Sequence, residues 1–75
     1  MYGNYDNISN AELAEIISNW VKGRHAARNK KIMVERLIDG MTYEEIAELH
    51  DLSVNQIKNI VYKHEYVIYR HVWEE

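Results

Sequence analysis

The sequence TYEEIAELHDLSVNQI, residues 42–57, contains two helix starts separated by a very short break. Thr42 is followed three residues later by Glu45, and Ser53 is followed at the same spacing by Gln56. In such a capping box the hydroxyl accepts a backbone N–H of the first helical turn, and the carboxylate or amide accepts the N–H of the cap residue. Because the second box follows so closely, the stretch predicts two short-linked helices.

The residues between the two helices favour a tight turn. Asp51 tolerates a positive φ better than most residues, Leu52 can plug the turn, and the small Ala47 stands where the helices would cross. This pattern is typical of a helix-turn-helix, whose second helix enters the major groove of DNA in proteins that use the motif. We therefore expect the reading helix to begin just after Ser53.

Two further helices are predicted before this motif. Ser9 and Glu12 form another capping box, and Gly40 offers a stop for the helix that follows. The apolar positions at helical spacing are Leu13, Ile16, Ile17, Trp20 and Val21 in the first helix and Ala26, Ala27, Met33, Val34, Leu37 and Ile38 in the second. The sequence predicts an all-α fold of four helices, roughly 9–22, 24–39, 42–50 and 53–73, with a flexible arm at 1–8 and a single domain at 9–75.

The last two helices have apolar positions that are expected to face the core. These are Ile46, Ala47 and Leu49 in the third helix and Ile57, Ile60, Val61, His64, Ile68 and Val72 in the fourth. The fourth helix carries a second, outer aromatic stripe of Tyr62, Tyr66, Tyr69 and Trp73. A helix that is apolar on two sides is buried or shared. Two candidates could cover the stripe equally well. One is the first helix, through Trp20, and the other is a second copy of the chain in a homodimer.

Composition excludes several classes of function. The chain has 75 residues, no cysteine and a formal net charge of −3, and it has no apolar run long enough to cross a bilayer. His64 and His71 are too far apart for a zinc-protease motif, and nucleophilic triads and Gly-rich phosphate loops are missing. We therefore expect a cytoplasmic protein with no cofactor, no metal and no enzymatic activity. Six of its nine Lys and Arg residues cluster in one segment, which contains Lys22, Arg24, Arg28, Lys30, Lys31 and Arg36.

Residues 40–58 resemble the helix-turn-helix of region 4 of bacterial sigma factors and of related small phage and plasmid regulators. The resemblance rests on Gly40, on the entry TYEEIA and on the start of the reading helix, LSV followed by IK at Ile57 and Lys58. It covers about half of the chain, with residues 28–38 resembling the supporting helix. Asp51 stands where the family usually has glycine. The resemblance implies binding to double-stranded DNA, with RNA polymerase or another regulator as a further partner.

Projection of the fourth helix assigns candidate contacts. Amide side chains suit adenine in the major groove, and lysine suits guanine or phosphate. The predicted base-reading residues are Asn55, Gln56, Lys58, Asn59 and Tyr62, and the predicted phosphate contacts are Arg28, Lys30, Lys31, Thr42, Ser53 and Lys63. The function that this pattern favours is sequence-specific DNA binding by a small transcriptional regulator. The alternatives are a protein-interaction module of the transcription machinery and a DNA-docking subunit of phage packaging or recombination.

Overall fold

The computed structural model describes residues 8–73, with the side chain of Trp73 left out. It is an all-α domain, and within the described range it contains four helices and no strand. The helices are α1 (Asn10–Trp20), α2 (Ala26–Leu37), α3 (Tyr43–His50) and α4 (Val54–Trp73). These bounds lie within one or two residues of those predicted. The predicted arm, residues 1–8, falls outside the described residues except for Ile8.

All three predicted capping boxes are confirmed. At the start of α3, the Glu45 backbone N–H donates to Thr42 Oγ1 at 3.1 Å, and the Thr42 N–H donates to Glu45 Oε1 at 2.9 Å. Ser9 and Glu12 make the same pair of bonds at the start of α1. The local hydrogen-bonding chemistry of these residues therefore sets three of the four helix starts.

The turn between α3 and α4 has the predicted left-handed residue. Asp51 adopts φ 57° and ψ 43°, and the Leu52 N–H donates to the Ala47 carbonyl at 3.0 Å. This bond satisfies a carbonyl that the end of α3 would otherwise leave free. Gly40, with φ 74°, likewise lies just beyond the end of α2. The turn thus fixes where α4 begins relative to α3.

The core forms where α4 packs against the three other helices. Its fully buried side chains come from every helix and from the residue that caps α1. They include Leu13, Ile17, Val21, Ile32, Met33, Ile46, Ile57, Val61 and Ile68. Complete burial of one Leu or Ile side chain contributes about 1.5–3 kcal/mol, so this set fixes the helix-turn-helix firmly on α1 and α2.

Three apolar positions predicted on the first three helices are exposed, and one of them is Trp20, of which 40% is exposed. Leu49 was expected to face inward, but 59% of it is exposed. In the described range α3 packs against α2 and α4 but not against α1, so no helix covers its Leu49 side. Ala27 is also exposed, because α2 turns its fully buried Ile32 toward the core instead.

The predicted outer aromatic stripe on α4 is also corrected. Tyr69 is buried, and its hydroxyl donates to Glu65 Oε2 at 2.7 Å. Tyr62 and Tyr66 remain more than half exposed. The side chain of Trp73 lies outside the described residues. The stripe is therefore reduced to two exposed tyrosines.

The first helix does reach the far half of α4, but at a different side chain. The rings of Trp20 and His71 stack with centroids 3.7 Å apart and an interplanar angle of 13°. Lys22 lies over the same indole, with its Nζ 5.1 Å from the ring centroid. In the part of the chain that the structure describes, no helix has the length and apolar character needed to span a membrane.

Candidate nucleic-acid interface

The outer face of α4 presents polar side chains to solvent along its first half. Asn55, Asn59, Tyr62 and Lys63 are all exposed, and Lys58 is half-buried. At about 100° per residue, Asn55 and Asn59 lie on one side of the helix, opposite the buried Ile57 and Val61. The two amides therefore form an uncovered pair at the start of the helix that follows the turn.

Gln56 is exposed, but part of its side chain is already engaged. Its Oε1 accepts the Ser53 backbone N–H at 2.9 Å, while the Gln56 N–H donates to Ser53 Oγ at 3.1 Å. A bidentate contact to adenine needs both the amide oxygen and the amide nitrogen. For Gln56 such a contact would compete with the cap, whereas Asn55 and Asn59 are not used in a capping box.

The hydroxyls assigned to phosphate also act as caps. Thr42 Oγ1 accepts the Glu45 N–H, and Ser53 Oγ accepts the Gln56 N–H. A hydroxyl that accepts a hydrogen bond keeps its own proton to donate. Thr42 and Ser53 are both exposed, so each still has a donor to offer a phosphate oxygen.

A cluster of cations and aromatic rings flanks the reading face. The guanidinium carbon of Arg36 lies 4.2 Å from the Tyr43 ring centroid, and Lys58 Nζ lies 5.7 Å from it. Tyr62 meets Tyr43 edge-on, with centroids 6.3 Å apart. Arg36 Nη1 also donates to the Met41 carbonyl at 2.9 Å. The cluster therefore ties the end of α2 and the start of α3 to α4.

Arg36 and Tyr43 were absent from the predicted site. The sequence shows Arg36 within the basic segment and Tyr43 directly after a helix cap. It does not show that the two side chains meet, because this contact depends on the turn around Gly40. Burial, followed by the hydrogen bond with Tyr62, raises the pKa of the Tyr43 phenol above its ordinary value of 10.0. Both effects favour the neutral phenol.

The three basic residues predicted on α2 do not share one face. Arg28 and Lys30 are half-buried and Lys31 is exposed. Two residues of helix turn the side chain by about 200°, so Arg28 and Lys30 project about 160° apart. Arg28 Nε donates to Asn29 Oδ1 at 3.1 Å, which holds it on the side of α2 that meets α4. A straight DNA backbone beside α2 would meet one of these two cations rather than both.

Two buried polar contacts position the helix-turn-helix. His50, the last residue of α3, has its Nε2 2.7 Å from Oε1 of the buried Glu35 on α2. His64 on α4 is buried, with its Nε2 3.4 Å from Asn29 Nδ2. Burial, and then the neighbouring charge of Lys63, lower the pKa of His64. The inward position predicted for His64 is confirmed, whereas the burial of Glu35 was not predicted.

The charges of the domain are separated between helices. The acidic side chains of α3, which are Glu44, Glu45 and Glu48, are all exposed. The first half of α4 carries Lys58 and Lys63 and no carboxylate. A surface with one sign of charge on one face can attract phosphate although the total charge is negative. Among residues 8–73, no three His, Asp or Glu side chains are grouped closely enough to hold a metal ion.

Comparison with known proteins identifies the middle of the chain. A family model described as sigma-70, region 4, matches residues 26–63, about half of the sequence. The matched range spans α2, α3, the turn and the first half of α4, and it leaves out α1 and the far half of α4. Comparisons with curated proteins and with solved structures gave no significant match.

Proposed function

The chain belongs to the sigma-70 region 4 family of DNA-binding helix-turn-helix domains, and we propose that it is a small transcriptional regulator that recognises a specific double-stranded site. The observation that carries this proposal is the exposed amide pair Asn55 and Asn59. The pair stands at the start of a helix whose position is fixed by the Asp51 turn and the Ser53 cap. Rigid placement of this kind is what direct reading of base edges requires.

In this proposal each part of the surface has a distinct task. Asn55 and Asn59 contact base edges, with a preference for sites that contain A·T pairs, and Lys58 and Tyr62 contact the flanking bases. Arg36, the Tyr43 hydroxyl, and the caps Thr42 and Ser53 contact phosphates. Phosphate contacts set the register of the protein on the duplex, and base contacts supply the specificity.

Binding of labelled duplexes tests this proposal. A preferred site is first selected from a random library, and its affinity is compared with that of random DNA by fluorescence anisotropy. Asn55→Ala or Asn59→Ala should cost about 1–3 kcal/mol on the preferred site and little on random DNA. Asn19→Ala, which removes an exposed amide from α1, is the matched control. Equal losses on both DNAs would mean that the amides only position the protein, and a wild-type chain that binds no duplex would overturn the proposal.

A second function is favoured by one observation on α3. The exposed Leu49 and the half-buried Met41 line a shallow groove together with Glu45 and Glu48. An apolar groove bordered by carboxylates suits a protein segment with an apolar anchor and basic neighbours. Under this alternative the domain binds RNA polymerase or another regulator. Leu49→Asp would then abolish association with purified polymerase while leaving DNA binding intact.

A further inference from the structure

The fourth helix is longer than the major groove is wide. It has 20 residues, which corresponds to about 30 Å at 1.5 Å per residue, whereas the groove of B-DNA is about 12 Å wide. The family match ends at residue 63, so the last ten residues of α4 lie beyond it. If the first half of α4 occupies the groove, its far half must extend past the groove edge, where the phosphate backbone runs.

The far half of α4 continues the same exposed face. At about 100° per residue, Lys63, Tyr66 and Arg70 all project within about 80° of Asn55. All three are exposed, and the Arg70 guanidinium carbon lies 5.9 Å from the Tyr66 ring centroid. A phenol and two cations on one face offer several donors suited to phosphate oxygens.

The charge around this face is favourable for DNA. Glu65 is the single carboxylate among residues 54–73, and its Oε2 accepts the hydroxyl of the buried Tyr69 at 2.7 Å. At about 100° per residue, Glu65 projects about 80° from Asn55, on the opposite flank of the helix from Lys63 and Arg70. The two cations therefore share one flank of the exposed face, and the carboxylate lies on the other.

We propose that Lys63, Tyr66 and Arg70 form a second DNA-contact site, which binds the phosphate backbone at the edge of the major groove. This inference rests on the proposed function and extends it beyond the part of the chain that the family model matches. It also assigns an occupant to Tyr66, one of the two tyrosines of the stripe that remain exposed. Tyr66 packs against the sugar-phosphate backbone, and the two cations pair with phosphates on either side of it.

A second copy of the chain is the competing occupant of this face. In a two-fold symmetric dimer the same patch meets itself. The cations Lys63 and Arg70 would then lie against the cations of the other copy, and juxtaposed like charges oppose association. Charge complementarity therefore favours DNA over a homodimer at this surface.

The test compares two variants with equal loss of charge. K63A/R70A removes both cations of the proposed site, and K22A/R24A removes two exposed cations from the segment between α1 and α2. We expect K63A/R70A to weaken binding to the preferred and random duplexes alike, by about three- to tenfold. The slope of log K against log salt should become shallower by nearly two. The control should leave this slope unchanged.

Three outcomes would contradict a DNA-contact site at Lys63, Tyr66 and Arg70. An unchanged salt slope in K63A/R70A, with normal binding by the wild type, overturns the second site but not the proposed function. Failure of the wild type to bind any duplex removes both. The third outcome comes from sedimentation at high micromolar concentration. If the wild type is a dimer and Tyr66→Glu is a folded monomer, this face binds a second copy and the inference is overturned.

Discussion

At the scale of single residues, His64 is the buried group whose titration should affect folding. It faces Asn29 across the contact between α4 and α2, and burial lowers its pKa. In the unfolded chain its pKa returns to its ordinary value of about 6.5. As pH falls through this value, the unfolded chain takes up a proton that folded His64 resists. The free energy of unfolding therefore decreases on acidification because of His64.

We predict that His64→Gln reduces the dependence of stability on pH. Between pH 7.5 and 5.5 the wild type should lose more unfolding free energy than this variant, as measured by urea denaturation. His25→Gln, which changes an exposed histidine before α2, should behave like the wild type. Parallel pH profiles for wild type and His64→Gln would contradict the prediction.

At the scale of elements, the turn between α3 and α4 depends on one backbone conformation. Asp51 has φ 57°, in the left-handed region, where a β-branched side chain is strained. Asp is tolerated there better than most residues, and glycine pays no Cβ penalty. The turn residue therefore limits which side chains can join the two helices.

We predict opposite effects for two substitutions at this turn. Asp51→Gly should leave stability unchanged or slightly raised, whereas Asp51→Val should lower it by about 1–2 kcal/mol. Asp39→Val is the matched control, because Asp39 is exposed and does not adopt a positive φ. Urea denaturation measures all three. Equal losses for Asp51→Val and Asp39→Val would show that the left-handed conformation is not what matters.

The basic residues of α2 give a second prediction at this scale. Because Arg28 and Lys30 project about 160° apart, we do not expect both to contact one DNA backbone. Single changes of Arg28, Lys30 and Lys31 to Ala should reduce the salt slope by about one unit for each residue that contacts phosphate. A triple variant with an unchanged slope would remove these three residues from the interface, and a reduction near three would show that DNA bends around the helix.

At the scale of the whole molecule, α1 stabilises the part of α4 that the family match leaves out. The stack of Trp20 on His71 joins the end of α1 to the last turns of α4. An aromatic pair contributes about 0.5–1.5 kcal/mol beyond the area that it buries. Packing of α1 through this stack therefore stabilises the part of α4 beyond residue 63.

We predict that Trp20→Ala destabilises the two halves of α4 unequally. The loss should be about 1–2 kcal/mol in urea denaturation. Hydrogen exchange should quicken in residues 66–72 more than in residues 54–61, because the helix-turn-helix keeps its own contacts with α2. Tyr66→Ala, which removes an exposed ring that does not stack on α1, is the control. Uniform acceleration along α4 would show that the stack supports the whole fold equally.

Features that depend on neighbouring residues could be predicted from the amino-acid sequence. A capping box joins residues three apart, and the left-handed conformation of Asp51 depends on its own side chain and the adjacent turn. Both are local chemistry, so they were predictable without knowledge of how the helices pack. The exposed positions of Asn55 and Asn59 followed in the same way, from the helix start and the helical period.

Which sides of the helices are covered depends on how the helices pack together. Helical periodicity gives the direction of each side chain but not the width of the buried arc. Tyr69 is buried because α4 packs against three helices, and Leu49 is exposed because α1 does not reach α3. The contact of Arg36 with Tyr43 likewise depends on the path of the chain between α2 and α3. Contacts of this kind are set by the shape of the whole domain, which no local pattern contains.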